Sequence, residues 1–251
     1  MNIMIFDTET TSLEKPFCYN IGYVVYDTEQ DDILLKREFV CEQVWHNPML
    51  FTTAYYSNKR ELYVNRMRAR QITMDKFGYI CQQMIRDIKM YEIELAFAYN
   101  STFDEKVFNY NCEWFKCNNP FDNVEIKDIR GYVHNSIANQ DHFKQWCDHN
   151  EKFTEKGNYS TTAETIYQYV SRDLEFVEEH TALNDSLIEL AILVHCVKTF
   201  GLDYKGNYKA KQSIARVVDQ KLTVVLDNKE TIFQYKTKRV YENGQKIILK
   251  N

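Results

Sequence analysis

The sequence predicts an α/β fold in which helices flank a mixed β-sheet, followed by a small C-terminal antiparallel β meander. Three observations favour this fold class. Residues 3–6 form a short continuous apolar run, which is typical of a strand buried on both faces. Two β-rich segments, "CYNIGYVVYD" and "ILLKREFV", follow with the polar "TEQDD" between them, a pattern that predicts a hairpin. Apolar residues then recur every three or four positions in several later segments, as in amphipathic helices.

The middle of the chain alternates predicted helices with short strands. Residues 46–74 mix polar and apolar positions and fit either a helix or an extended loop. The predicted elements after it are a helix at residues 77–88, the strand "ELAFAYN", the helix "STFDEKVFNYNCEWF", the strand "NVEIKDI" and helical residues 130–149.

The next segments end the predicted body. "EKFTEKGNYS" is a loop, and either Thr161 or Thr162 caps the short helix that follows it. Residues 183–200 form the longest apolar periodic segment and predict a helix. Gly201 directly after it favours the left-handed backbone that ends many helices.

The C-terminal part changes character. "LTVVL", "TIFQYKTKRVY" and "QKIIL" are β-like, and the Asn-Gly pair in "ENG" is a strong hairpin signal. These segments predict the antiparallel meander. The sequence therefore suggests two domains, residues 1–204 and a basic, β-rich extension at residues 205–251.

Charge is distributed unevenly along the chain. The net charge of -5 argues against a protein that simply coats nucleic acid. Residues 205–251 contain 11 Lys or Arg and 4 Asp or Glu, a balance of +7, which leaves -12 for the preceding residues. A basic extension on an acidic body can hold phosphates near a site that is itself negative until it binds metal.

The N-terminal residues and the cysteines indicate in which cellular compartment the protein is expected. The chain shows no export signal, and its opening apolar run is too short to span a membrane, so we expect a cytoplasmic protein. Seven cysteines, an odd number, fit buried thiols better than a disulfide framework. A zinc site is a weaker alternative, because no C-x-x-C pair occurs. Its candidate ligands would be Cys112, Cys117, His134, Cys147 and His149.

Two carboxylates follow the first apolar run directly. Asp7 and Glu9 stand at the end of the predicted first strand. Alternate side chains of a strand share a face, so these two project together while Thr8 points away. Two acids this close repel each other unless a cation lies between them, and hard oxygen ligands suit Mg²⁺ or Mn²⁺. A solvated strand end would also explain the pair.

A third acid opens the helix after the strand "ELAFAYN". Asp104 falls in the first turn of that helix, with Asn100 and Phe103 beside it. A negative charge in the first turn also interacts favourably with the helix dipole, and Ser101 followed three residues later by Asp104 fits a capping box. The position therefore allows either a structural cap or a functional carboxylate.

The segment "HTALND" places a histidine before another acid. His180 and Asp185 are five residues apart, about 140° around an ideal helix, so they share a site most easily if His180 lies off the helix end. The unperturbed histidine pKa near 6.5 lets it accept a proton at neutral pH. A surface histidine before a helix is the plainer alternative.

Taken in order, these three segments resemble the motifs of one enzyme family. The chain resembles the DEDDh group of 3′→5′ exonucleases, relatives of polymerase proofreading exonucleases and RNase T with an RNase H-like fold. "DTETTSL" is similar to the first motif of that family, "NSTFD" to the second and "HTALND" to the third. The resemblance covers residues 1–200, and Ser12 stands where many relatives have glycine.

The resemblance implies roles for five residues. Asp7, Glu9, Asp104 and Asp185 would ligate two Mg²⁺ or Mn²⁺ ions, and His180 would be the general base. The substrate would be a single-stranded DNA or RNA 3′ end, and the product a nucleoside 5′-monophosphate.

Four residues in or beside these motifs are candidates for holding the terminal nucleotide, through hydroxyl or amide contacts and apolar stacking: Thr10, Leu13, Asn100 and Phe103. Packing around the site would explain them as well, and Phe103 also fits the buried face of its helix. His195 lies inside an apolar helix and is interpreted as a core histidine.

Two rival functions remain open. A non-catalytic module of the same fold could use the basic extension to dock a polymerase or another protein partner, and a nuclease of this fold could cut internally. A pure binder gains nothing from clustering four repelling acids, so the sequence favours the exonuclease.

Overall fold

The computed structural model describes residues 1–54, 57–216, 218–226 and 229–237. Its main sheet has the strand order β4-β3-β2-β1-β5-β6, with β1, β2 and β3 antiparallel and the pairs β3/β4, β1/β5 and β5/β6 parallel. The predicted mixed sheet is confirmed. The strands of this sheet are β1 (Asn2–Thr10), β2 (Cys18–Asp27), β3 (Asp32–Cys41), β4 (Thr73–Asp75), β5 (Leu95–Ala98) and β6 (Glu125–Asp128).

Helices cover both faces of this sheet. Residues 46–74, for which the sequence left helix and loop open, contain one short α-helix, a short 3₁₀ helix and the nine-residue helix α3 before the chain reaches β4. In the described residues the α-helices are α1 (Glu42–Trp45), α2 (Pro48–Phe51), α3 (Arg60–Arg68), α4 (Phe77–Met90), α5 (Thr102–Phe115), α6 (Ile129–Asn135), α7 (Asp141–His149), α8 (Ala163–Ser171) and α9 (Ala182–Phe200).

Strand β1 separates two apolar cores. Met4 and Phe6 point to the core that also contains side chains of α4 and α5, whereas Ile3 and Ile5 point to the core of α6 and α9. This alternation follows from the period of two along a strand. Because the strand is buried on both faces, its four central residues are all apolar, as the sequence predicted.

The start of α9 lies directly on β2. A β-carbon at Gly22 would lie only 2.0 Å from the backbone nitrogen of Leu183, so a residue with a side chain would force the two elements apart. Two hydrogen bonds hold the contact: Ser186 Oγ donates to the Gly22 carbonyl at 3.1 Å, and the Ala182 N–H donates to Oδ1 of Asn20 at 2.8 Å. Polar groups at this buried end of α9 therefore have hydrogen-bond partners on β2.

The ends of two other predicted helices are also observed. Thr162, one of the two cap candidates, accepts a hydrogen bond from the Thr165 N–H at 3.3 Å and caps α8. Gly201 has φ +68° and ends α9 in the left-handed conformation.

The chain beyond α9 continues along the body before it reaches β-structure. The Tyr132 hydroxyl donates to the Tyr204 carbonyl at 2.7 Å, the Lys211 N–H donates to Nδ1 of His134 at 2.8 Å, and Ile214 is buried in the core of α6 and α9. Strands β7 (Val218–Leu226) and β8 (Lys229–Thr237) then pair in antiparallel fashion.

Two predictions for the C-terminal part stay predictions. The segment "QKIIL", proposed as the last strand of the meander, lies outside the described residues. The boundary between residues 204 and 205 is likewise an expectation from the sequence. None of the helices in the described part of the chain is long and apolar enough to span a membrane.

Candidate active site

The first motif lies at the end of β1. Asp7 and Glu9 continue the face of Ile3 and Ile5 and therefore point toward the side of the sheet that α9 covers. Carboxylate oxygens of Asp7, Glu9 and Asp185 all lie within 4.8 Å of one another. The structure thus brings together acids from chain positions almost 180 residues apart, as the resemblance implied.

Asp185 stands in the first turn of α9, and its position depends on the close contact between that helix and β2. The residue is 6% exposed, and its Oδ1 is buried without a hydrogen-bond partner. A buried acceptor without a donor costs free energy, so an unpaired oxygen on a carboxylate that lies beside two other acids indicates a place for a cation.

Asp104 lies in the first turn of α5 and is buried. The Thr8 hydroxyl donates a hydrogen bond to its Oδ1 at 2.6 Å, and the charge of Asp104 raises the pKa of Asp7 more than any other neighbouring charge. The alternative of a capping box is wrong, because the Ser101 side chain makes no cap hydrogen bond and instead donates to Glu105 Oε1 at 3.3 Å. Asp104 is therefore held by β1 beside the first pair of acids.

His180 lies just before α9, off the helix end, as the five-residue spacing required. Its backbone has φ +51°, and Thr181 separates it from the first helical residue. A ring nitrogen of His180 lies within 4.8 Å of carboxylate oxygens of Glu178 and Asp185, and its Nδ1 is 3.5 Å from Glu178 Oε2. Partial burial and the Lys59 ammonium lower the pKa of His180. The imidazole is therefore neutral and can accept a proton near pH 7.

Burial and repulsion from neighbouring carboxylates raise the pKa of each of the four motif acids. Burial is the largest cause in every case; it raises the pKa of Glu9 to about 8, that of Asp104 to about 7 and that of Asp185 to about 9, and it raises the pKa of Asp7 well above its usual value. These acids cannot all ionise near neutral pH without positive charge between them. The donor set is all oxygen, and together with the unpaired Oδ1 of Asp185 it fits a hard divalent cation.

Two acids near the site were not singled out from the sequence. Glu189 is buried on α9 one turn after Asp185, and its Oε2 accepts a hydrogen bond from the Tyr99 N–H at 3.2 Å. Burial and the charges of Asp104 and Asp185 raise its pKa well above the usual value. Glu178 is the second, and burial raises its pKa to about 7. The four-residue spacing from Asp185 to Glu189 places both on one helix face and could have identified Glu189.

Lys59 was also missed, because it belongs to the stretch whose structure the sequence left open. It ends the short 3₁₀ helix Ser57–Lys59, and its ammonium donates to the carbonyl oxygen of Glu179. Its charge lowers the pKa of both Glu9 and Asp185. The positively charged side chain of Lys59 therefore lies near these acids.

The predicted nucleotide-binding residues differ in exposure. Thr10 and Phe103 are partly buried, and Phe103 packs against the core of α4 and α5. Asn100 is exposed, with φ +65°. Leu13 is 75% exposed on the loop after β1, where its carbonyl accepts a hydrogen bond from the Lys106 ammonium at 2.6 Å. An apolar side chain this exposed is available for contact with a ligand.

His195 and the candidate zinc ligands lie apart from these acids. His195 is partly buried on α9, with its Nδ1 3.4 Å from Thr199 Oγ1. His134 and Cys147 lie on the side of α6 and α9, whereas Cys112 belongs to the core of α4 and α5. The zinc site suggested as an alternative is therefore wrong as a set, because the sheet separates its members.

Comparison with known proteins shows the fold but no close relative. No family model matches the sequence, and no curated protein matches it. Among solved structures, the chain is similar to the nuclease domain of 3′hExo, a DEDDh family member bound to rAMP, with a TM-score of 0.51 and 12% identity over 85% of this chain and 97% of that one. A full-length 3′-exonuclease gives a TM-score of 0.52 and 15% identity over 80% and 82% of the two chains.

A third structure is that of Escherichia coli Exonuclease I in complex with a dA16 oligonucleotide. Its TM-score is 0.50 at 15% identity, and the match covers 79% of this chain but only 41% of Exonuclease I. This chain therefore matches less than half the length of that protein. The sheet order, the helices on both faces and these three similarities lead to one conclusion: the chain has the fold of the DEDDh-type 3′→5′ exonucleases.

Proposed function

We propose that the protein is a metal-dependent 3′→5′ exonuclease that hydrolyses phosphodiester bonds at single-stranded DNA or RNA 3′ ends and releases nucleoside 5′-monophosphates. The observation that carries the proposal is the convergence of Asp7, Glu9 and Asp185, whose carboxylate oxygens lie within 4.8 Å of one another, with a ring nitrogen of His180 beside Asp185. The shared fold supports it.

The acids would hold the metal ions. Asp7, Glu9, Asp104 and Asp185 would ligate two Mg²⁺ or Mn²⁺ ions, and the unpaired Oδ1 of Asp185 supports a ligand role for that residue. When bound, such ions supply Lewis acidity toward the phosphate and charge neutralisation at the leaving oxygen. Thr8 holds Asp104 through its 2.6 Å hydrogen bond, so one carboxylate has its orientation fixed before a ligand arrives.

His180 would act as the general base. Because burial and Lys59 lower its pKa, its ring is neutral and can take the proton of the attacking water. The Glu178 carboxylate, 3.5 Å from Nδ1, would then stabilise the imidazolium that forms. His180 lies off the helix end, where the ring is partly open to solvent and to substrate.

The terminal nucleotide would be held by residues around the acids. Leu13 would contact the base, Thr10 and Asn100 would contact sugar or phosphate oxygens, and Phe103 would support the base from the start of α5. The ligands named for the neighbours support this class of substrate, since one contains a dA16 oligonucleotide and another contains rAMP.

The experiment is degradation of a 5′-labelled single-stranded oligonucleotide with Mg²⁺ or with EDTA. We expect a ladder that shortens from the 3′ end in Mg²⁺ and no product in EDTA. Asp185→Asn should abolish cleavage without unfolding the chain, and His180→Ala should slow it by about 10² to 10⁴. His195→Ala is the matched control, because His195 lies away from the acids.

Two results would contradict the proposal. An internal cut would indicate an endonuclease of the same fold. Binding of the oligonucleotide without metal-dependent cleavage would indicate the non-catalytic module. Parallel DNA and RNA substrates of one sequence would show which sugar the site accepts, because a 2′-hydroxyl is read by the pocket around the terminal residue.

The basic extension would hold the substrate backbone or a protein partner such as a polymerase. Residues 204–216 contact the body through side chains that include Ile214, so a truncation at residue 206 would damage the core. Truncation after Arg216 removes 7 Lys or Arg and 4 Asp or Glu and keeps those contacts. We expect it to weaken oligonucleotide binding and to flatten the dependence on salt. If the truncated chain bound the oligonucleotide with the same dependence on salt concentration as the parent, the extension would be expected to bind another partner.

A further inference from the structure

Three cysteine thiols meet on the side of the sheet opposite α9. Cys81 lies on α4, Cys112 on α5, and Cys117 in the turn after α5. Their sulfur atoms all lie within 4.8 Å of one another. Only Cys112 and Cys117 are near each other in sequence, so the packing of two helices creates the cluster.

The end of α5 explains how the C-x4-C pair comes together. Lys116 has φ +53°, and this left-handed residue reverses the chain so that the Cys117 N–H donates to the Cys112 carbonyl at 3.1 Å. A helix that continued through residue 117 would place the two side chains on different faces. Helix α4 packs beside α5 and supplies Cys81 from one turn after Gly78, which lies next to Cys117.

The spacing of the three sulfur atoms suits a tetrahedral metal. Zn–S bonds of about 2.3 Å at tetrahedral angles place thiolate sulfurs about 3.8 Å apart. The three sulfur atoms lie within 4.8 Å of one another, so their separations exceed that spacing by at most about one ångström, a difference that rotation about side-chain bonds can supply. A soft thiolate set selects Zn²⁺ over Mg²⁺, which prefers oxygen.

The cluster has access to solvent and room for a fourth ligand. A cavity of about 220 Å³ opens beside it, with Cys81 and Cys117 in its wall and the side chains of Gln82, Lys116 and Asn118 around its mouth. Water or an amide oxygen could complete the coordination from this side. The Lys116 ammonium would offset the single negative charge of a Zn²⁺ ion bound by three thiolates.

We propose that Cys81, Cys112 and Cys117 form a Zn²⁺ site with a fourth position open to solvent. Binding replaces three S–H bonds by three Zn–S bonds and releases three protons, with no change of oxidation state. The ion would join α4 to the C-terminal end of α5. This replaces the zinc alternative drawn from the sequence: Cys112 and Cys117 remain, and Cys81 takes the place of ligands that lie across the sheet.

This site is separate from the acids of the candidate active site. Asp104 and Cys112 are eight residues apart on α5, which corresponds to about 12 Å along a helix axis. The proposal does not depend on nuclease activity. It also needs no oxidant, because the thiols stay reduced.

The test is the absorption spectrum of the metal-free, reduced full chain titrated with Co²⁺, followed by displacement with Zn²⁺. Thiolate ligands give charge-transfer absorption in the near ultraviolet, whereas the oxygen ligands of Asp7, Glu9 and Asp185 do not. We expect about one thiolate-bound ion per chain, released by Zn²⁺. Cys117→Ser, at a partly exposed position, and Cys112→Ser should each lose the band.

Two controls separate this site from other thiols and from the acids. Cys147→Ser changes a buried cysteine on the other side of the sheet and should keep the band. Asp185→Asn should keep it as well. The proposal is overturned if the parent chain shows no charge-transfer band, if the band survives in both cluster variants, or if mass spectrometry finds a disulfide between two of the three cysteines in the freshly purified chain.

Discussion

The Thr8 hydroxyl donates a hydrogen bond to Oδ1 of Asp104 at 2.6 Å. This contact joins the first motif to the second, because Thr8 lies on β1 between the two acids of "DTET" and Asp104 opens α5. The sequence places Thr8 on the face away from Asp7 and Glu9. Helix α5 packs on that face, so Thr8, which lies between Asp7 and Glu9 in the sequence, holds the third acid, Asp104.

We expect Thr8→Val to weaken metal binding. Burial raises the pKa of Asp104 to about 7, and the hydrogen bond from Thr8 opposes that rise. Valine has a similar shape but no donor, so the pKa of Asp104 should rise further and ionisation should become harder. Hydrogen bonds to charged groups contribute about 1.5 to 3 kcal/mol, which corresponds to at least a tenfold increase in the Mg²⁺ concentration for half-maximal cleavage at pH 7. Thr8→Ser keeps the donor and should resemble the parent. If the parent and both variants showed the same dependence of cleavage on Mg²⁺, the hydrogen bond from Thr8 would have no role in metal binding.

Lys59 should set the pH dependence of the reaction. Its charge lowers the pKa of His180, Glu9 and Asp185. In Lys59→Met all three pKa values should rise, so both the general base and the metal ligands need a higher pH to reach their active forms. Activity should therefore fall more at pH 6 than at pH 8, and the acidic limb of the pH–rate profile should move to higher pH. Lys59→Arg keeps the charge and is the control; a loss that is uniform across pH would point to a structural role.

Local patterns account for most of what the sequence could predict. The acids of the first motif follow an apolar run that can only be a buried strand, and the helices that begin near Asp104 and Asp185 have clear apolar periodicity. Such signals depend on neighbouring residues alone. The resemblance of the three motifs to those of the DEDDh exonucleases then implied that the acids share one site.

The residues that were missed depend on contacts between distant segments. Lys59 reaches the acids from a stretch without a clear period, and Cys81 meets Cys112 only because α4 packs beside α5. The capping box that the sequence allowed at Ser101 is not formed, and Asp104 instead accepts a tertiary hydrogen bond from Thr8. Local preferences are weak compared with such packing, and they cannot be weighed against it from sequence alone.

Leu13→Ala should weaken binding of the 3′ end without affecting stability. Because Leu13 is 75% exposed, its truncation removes little buried surface, and the free energy of unfolding should change by less than about 0.5 kcal/mol. Loss of a base contact of about 1 to 3 kcal/mol should raise KM by about 5-fold to 150-fold. Leu34→Ala, at an exposed position of β3, is the matched control. An unchanged KM would remove Leu13 from the substrate site.

Glu189 should act as a positioning residue. Its Oε2 accepts from the Tyr99 N–H at 3.2 Å, which ties α9 to the end of β5 just before α5 begins. Glu189→Gln keeps an acceptor for that N–H but cannot ionise when a cation binds, so the chain should stay folded while Mn²⁺ binds more weakly. Glu189→Ala leaves the N–H unpaired and should lower the free energy of unfolding by about 1 to 3 kcal/mol.

Thermal unfolding in EDTA and a Mn²⁺ titration distinguish these two effects. If Glu189→Gln were as unstable as Glu189→Ala, the carboxyl group itself would hold the fold. If both variants bound Mn²⁺ like the parent, Glu189 would have no part in the site.

Without metal, the protein should lose stability as pH rises from about 5 to 9. The folded-state pKa values of Glu9, Asp104 and Asp185 are about 8, 7 and 9, all above the values near 4 expected for an unfolded chain. The folded state therefore holds more protons in this window. The stabilisation from these protons is complete when the pH is below the pKa values of the unfolded chain. It disappears as the pH rises through the pKa values of the folded chain.

Divalent ions should oppose this loss, because they bind the ionised acids of the folded chain and stabilise it by mass action. The measurement is the melting temperature from pH 5 to 9 in EDTA and in Mg²⁺. We expect a steep fall in EDTA and a much flatter curve in Mg²⁺. Asp185→Asn removes one of the repelling acids, so at pH 8 in EDTA it should melt several degrees above the parent, and at pH 5 the difference should be small. A melting temperature in EDTA that rises with pH would mean that these acids do not repel one another in the folded chain, and the cation site would lose its physical basis.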